Sequence, residues 1–195
     1  MTQLKKRSLI ESQTRGLLVY CDDYLARLFS QKQNKSSGIW TQSLLMYALN
    51  NKIINNNDYY EAVIELVLRR FNYTSINAII LFYLFEKEGF VHSPKVLFLI
   101  SVLGRSDDVE SNVKVACEFI FFVWNSPCPL LIKRNILGTV FEVLKYNDNK
   151  NQKVANASMR LRSNNSKYHK QLAQAIQDWR DGLLIVPDIQ EIMSI

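Results

Sequence analysis

The chain has 195 residues, with 24 Lys and Arg against 18 Asp and Glu, a formal net charge of +6 at pH 7, 48% hydrophobic and 22% charged residues. That balance excludes an intrinsically disordered chain and permits, without requiring, a nucleic-acid partner. Three cysteines, Cys21, Cys117 and Cys128, lack the paired spacing of a disulfide framework or a zinc site and read as buried thiols in a reducing compartment.

The first residues, Leu4 to Glu11, are basic but are followed by no apolar signal core. Gly16 to Cys21 is a short apolar run that ends in Asp22 and Asp23, after which an amphipathic pattern starts at Tyr24. The order predicts a buried parallel strand, a turn and a helix, with the carboxylates at the helix N-terminus, where they can cap it. Such a junction is also where α/β folds place metal or phosphate chemistry. A polar connector from Lys32 to Gly38 precedes a helical pattern over Ile39 to Leu49. The next helix is expected over Tyr59 to Phe71, capped by Asn57 or Asp58.

From Thr74 onward the reading is almost wholly helical. Ser75 is expected to cap a helix that closes at Gly89, and Ser93-Pro94 starts another that ends near Gly104. Asp107 and Asp108 cap Val109 to Trp124, which stops before Pro127. Leu130 to Leu144 is amphipathic, a polar helix follows Lys150, and a clearer one runs from Ser166 through Trp179. Leu183 to Val186 is extended and is a candidate second strand, with a last short helix at Asp188 to Met193. The longest apolar runs, Ile79 to Phe85 and Phe119 to Trp124, are too short to span a bilayer, so a soluble cytoplasmic protein with no membrane partner is expected. Successive capped helices also raise a repeat array, although their lengths and internal sequence do not repeat.

Residues 16 to about 90 resemble the C-terminal half of a PIN domain, closest to the PIN module that large bacterial proteins join to helical repeats. The matching residues are Leu17-Leu18-Val19-Tyr20-Cys21, the pair Asp22-Asp23, Leu25-Ala26-Arg27-Leu28, Ile39-Trp40-Thr41-Gln42, Leu44-Leu45, Tyr59, Tyr60, Ala62-Val63, Leu66-Val67-Leu68 and Phe71 to Ile76. The resemblance implies a parallel-sheet fold related to ribonucleases that hold magnesium or manganese with clustered carboxylates, hard ligands for hard ions that activate a water for attack on a phosphodiester. It puts the family's third acid at Asp22 or Asp23, as metal ligand and catalytic residue. The fourth acidic position falls on Thr41, Gln42 or Ser43, none of which is acidic. The first two acids would lie N-terminal to the matched stretch, where Glu11 is the sole acid, so a truncated domain that is inactive alone is expected.

The resulting fold class is mainly α with a small α/β part. A PIN-like half over residues 1–90, with one or two parallel strands, is followed by a helical bundle or extension over 91–195. The isolated strand would need partners from another chain or from a missing N-terminal half. Lys150 to Lys170 gathers Lys150, Lys153, Arg160, Arg162, Lys167, His169 and Lys170 with no acid among them. Arg160, Arg162, Lys167 and Lys170 can grip RNA phosphates or form a plain solvated helix face. Trp40, Trp124 and Trp179 sit at helix-periodic apolar positions and are expected in the core rather than stacked on bases. The alternative function is an α-helical protein-interaction module, or a fragment of a larger PIN-domain protein.

Overall fold

The computed structural model of the chain describes residues 19–20, 38–71, 74–105, 108–146, 150–163 and 167–188. The chain is mainly α-helical. Its elements are β1 (Val19–Tyr20), β2 (Gly38–Ile39), α1 (Thr41–Asn50), α2 (Asn56–Leu68), α3 (Ala78–Lys87), α4 (Pro94–Arg105), α5 (Val109–Asn125), α6 (Leu130–Leu144), α7 (Lys150–Ser163) and α8 (His169–Arg180). It divides into two compact units, Met1–Ser75 and Ile76–Ile195. The division comes earlier than the boundary near residue 90, and α3 packs with α4 and α5 of the second unit.

In the first unit β1 and β2 pair in parallel, Val19 opposite Gly38 and Tyr20 opposite Ile39. Parallel neighbours require a crossover of about a dozen residues or more, and the connecting stretch is long enough to supply one. β1 therefore has a partner within its own chain, which corrects the expectation that its neighbours must come from elsewhere. Leu183 to Val186 forms no strand, which corrects the second candidate. Gly38–Ile39 takes that place, and the helix expected from Ile39 begins at Thr41 instead.

Two helices complete the described part of this unit. Asn55, rather than Asn57 or Asp58, caps α2: its side chain accepts from the Asp58 amide at 3.0 Å while the Asp58 carboxylate accepts from the Asn55 amide at 3.2 Å. This is a capping box built with Asp, and it satisfies two otherwise orphaned donors. Both helices end in left-handed residues that are not glycine, Lys52 at φ 57° and Arg70 at φ 58°. The amide of Ile53 reaches back to the Ala48 carbonyl and that of Phe71 to Leu66, both at 2.9 Å, closing each helix by a Schellman-type bond.

The second unit is three helical hairpins stacked side by side. α3 packs on α5 and α5 on α7, while α4 packs on α6 and α6 on α8, giving two layers of three helices. This is the layout of α-solenoids, in which each hairpin buries its apolar face on its neighbours. The core runs through Leu81, Leu84 and Phe85 of α3, Leu99 and Ile100 of α4, Phe119, Ile120, Val123 and Trp124 of α5, and Ile136, Leu137, Val140 and Phe141 of α6. Two glycines permit close approach. A Cβ on Gly104 of α4 would lie 2.7 Å from the Val143 carbonyl oxygen of α6. One on Gly138 would lie 2.5 Å from a Val186 methyl, so the extended C-terminal segment crosses α6 over bare backbone.

The helix signals hold well here. Asp108 caps α5 through the Ser111 amide at 3.0 Å, and the Ser93 hydroxyl caps α4 through the Val96 amide at 3.3 Å. Asn77, not Ser75, caps α3, accepting from the Ile80 amide at 2.9 Å. Trp124 is buried and Trp179 half-buried, but Trp40 precedes α1 with 37% of its surface exposed, outside any core. Cys117 and Cys128 are buried free thiols, and no described helix is long and apolar enough to cross a membrane.

Candidate nucleic-acid interface

α7 carries the sequence KNQKVANASMRLRS, the most polar of the eight described helices. Its inward positions are Lys153, Ala157, Ser158 and Leu161, at the i, i+4, i+5, i+8 spacing of one helix face. Lys153 is fully buried. It therefore leaves the basic surface on which the sequence put it. Arg160 and Arg162 are both exposed, in the last turn, where the helix dipole favours cations, and two positions apart they flank the buried face on different sides. Lys167 precedes α8 and Lys170 lies in its first turn, both exposed. Because α7 packs on α8, the four predicted cations sit on this hairpin, Lys167 in its connection, with no acid between residues 150 and 177. Among the described residues Arg160, Arg162 and Lys170 form no ion pair, while Lys167 lies 4.8 Å from the Tyr168 ring centroid.

The hairpin is anchored from α8. Arg134 of α6 forms an ion pair with the buried Asp178, which also accepts from Gln174 Nε2 at 2.9 Å. Trp179 Nε1 donates to Glu142 Oε1 at 2.8 Å, its ring packs edge-on against Phe141, and Lys145 lies over its face at 5.0 Å. Behind α7, burial pushes the pKa of the Cys117 thiol up to about 12, against a downward pull from Arg160 and with a smaller upward push from Glu118. That thiol is a packing group and not a nucleophile at neutral pH.

Sequence reasoning missed Arg180, which lies beyond the window from Lys150 to Lys170. It lines a cleft of about 540 Å³ together with Ala155, Ser158, Met159, Arg162 and Ser163. The α7 spacing of 155, 158, 159 and 162 is a single helix face and was readable in the sequence; the approach of Arg180 to it was not.

Asp22 and Asp23, the expected catalytic and metal-binding pair, lie outside the described residues. Thr41, Gln42 and Ser43, among which the resemblance would put a fourth acidic position, are described. Gln42 is buried, its Nε2 donating to the Ser75 carbonyl at 2.7 Å and its Oε1 accepting from the Ser75 amide at 2.8 Å. Tyr59 Oη lies 3.4 Å from the same Nε2. Thr41 Oγ1 is 2.7 Å from Tyr20 Oη, so the helix after β2 is fastened to β1 through neutral groups. Among the described residues no group of three or more His, Cys, Asp or Glu is placed to hold a metal. The chain matches no protein-family model, no curated protein and no solved structure.

Proposed function

We propose that the chain is a PIN-like, nucleic-acid-associated protein that holds RNA on the exposed surface of the α7–α8 hairpin and does not cleave it unaided. The observation that carries this reading is the exposure of Arg160, Arg162, Lys167 and Lys170 on one helical hairpin in a stretch free of acids. Phosphate contacts of this kind give affinity and position without reading sequence. The parallel pairing of β1 with β2 supports the PIN-like part of the reading, as does the acidic pair that follows β1. Gln42 supports the non-catalytic part: where the family supplies a carboxylate, this side chain is neutral and committed at both ends to Ser75. Magnesium or manganese at Asp22 or Asp23 would then contribute to catalysis only beside carboxylates from a partner.

The test is fluorescence anisotropy with a single-stranded RNA at several salt concentrations, followed by a cleavage assay with manganese. Expected are binding that weakens steeply with salt, a large loss when Arg160, Arg162, Lys167 and Lys170 are changed to Glu together, and intact RNA afterwards. Cleavage that the double change Asp22→Asn and Asp23→Asn abolishes would overturn the non-catalytic part. A second reading, a helical protein-interaction module, is favoured by the two-layer stack of hairpins. A salt-insensitive complex with a protein, and no RNA affinity, would select it.

A further inference from the structure

The cleft between α7 and α8 combines three features that the surrounding basic surface lacks. Its lining includes two arginines, Arg162 from α7 and Arg180 from the end of α8, both exposed. Guanidinium forks match the oxygens of a phosphate in pairs, which a scattered set of lysines does not. Its lining also holds Ser158, a residue only 4% exposed whose hydroxyl has no hydrogen-bond partner among the described residues. A helical serine ordinarily bonds back to the carbonyl one turn earlier, and a buried hydroxyl left without any partner is costly. The third feature is apolar: Ala155 and Met159, the latter 68% exposed, form a wall beside the charged groups. Ser163, also in the lining, has its hydroxyl turned to the Arg160 carbonyl at 3.3 Å and is already satisfied.

We infer that this cleft is a subsite for one phosphorylated nucleotide, its phosphate held by Arg162 and Arg180 and its base laid against Met159 and Ala155. Rotation of the Ser158 side chain lets its hydroxyl donate to a phosphate oxygen, which relieves the unsatisfied group. Unstacked bases are commonly received by guanidinium planes and polarizable side chains, so the mixed lining suits a nucleotide better than a bare anion. The inference rests on the RNA-facing reading of α7 and α8 and deepens it, because a terminal or chain phosphate of RNA and a free mononucleotide present the same chemistry here.

The experiment follows the 13C-labelled methyl group of Met159 by NMR while adenosine monophosphate, adenosine and inorganic phosphate are titrated into the full chain. The expected result is a saturable shift with the monophosphate and affinities at least about tenfold weaker for the other two. Arg180→Gln should weaken the monophosphate about tenfold and Ser158→Ala by a few fold, as loss of charge-assisted and neutral hydrogen bonds implies. Both variants should keep the helical circular dichroism of the wild type. No saturable shift at millimolar monophosphate, or a shift that Arg180→Gln leaves unchanged, overturns the subsite. Inorganic phosphate binding as tightly as the monophosphate overturns its nucleotide specificity. RNA retention with a silent Met159 would overturn the subsite and leave the RNA-facing surface standing. A titrating Met159 with no RNA retention would support the subsite as a mononucleotide site and overturn that surface.

Discussion

α5 and α7 lie side by side in one layer of the second unit, yet they meet the core in opposite ways. α5 buries Val113, Phe119, Ile120, Val123 and Trp124, and its Phe119 ring packs edge-on against Phe85. α7 buries Lys153, Ala157, Ser158 and Leu161, two of them polar, with no aromatic side chain among them. The contrast teaches where this chain invests its hydrophobic burial. α5 holds the array together, while α7 is held in place by α5 and α8 and is free to carry a surface chosen for something other than stability.

The comparison can be broken most severely in α5. Trp124→Ala should destabilise the second unit by about 3–5 kcal/mol, the range for truncating a large buried aromatic, as read by urea unfolding. If its loss were near zero, α5 would not be the organising helix. Gly104→Ala comes next. The added methyl meets the Val143 carbonyl, a backbone group that cannot swing aside, so a loss of about 1–3 kcal/mol is expected from the overpacking. In the first unit Gln42→Ala should cost about 1–3 kcal/mol, because Ser75 loses partners for both its amide and its carbonyl.

A weaker effect distinguishes the layers by pH. Burial holds the His92 imidazole below its ordinary 6.5, and its Nε2 lies 3.4 Å from the buried Thr139 hydroxyl. The unfolded chain then takes up a proton more readily than the folded one. The contribution to stability is full above about pH 6.5 and is lost as pH falls toward the folded value. Melting temperatures measured between pH 5 and 8 should show that decline in the wild type and less of it in His92→Gln. Smallest of all, Arg160→Glu on α7 should change stability by no more than about 0.5 kcal/mol, as exposed substitutions do, even where it weakens RNA binding. A large loss there would mean that the Arg160 side chain is structural.

Helices with strong local punctuation were legible in the sequence. Asp108, Ser93-Pro94 and Gly89 each mark an end that the structure keeps, because capping is decided by residues within one turn. Two-residue strands are different. Gly38–Ile39 pairs with a segment far away in sequence and carries no alternation of its own, so its neighbours made it look like the start of a helix. The stacking of hairpins was also hidden, since no residue motif repeats from one to the next and only apolar faces specify it. Of the candidate site, exposure of the four cations followed from composition. The burial of Lys153 and the approach of Arg180 depend on which face α7 turns to α5 and α8, which no local pattern states.

The row-by-row contact of the hairpins has a kinetic consequence. Each hairpin of the second unit rests only on those beside it, so opening need not be all-or-none. The α7–α8 pair, tied to α6 by the Arg134–Asp178 ion pair and the Trp179–Glu142 bond, is positioned to detach while α5 and α6 stay folded. Its amide protons should then exchange with solvent through local opening, ahead of those in α5. A ligand on that pair would slow its exchange and leave the central amides nearly untouched, so occupancy would be written in the exchange rates of one hairpin.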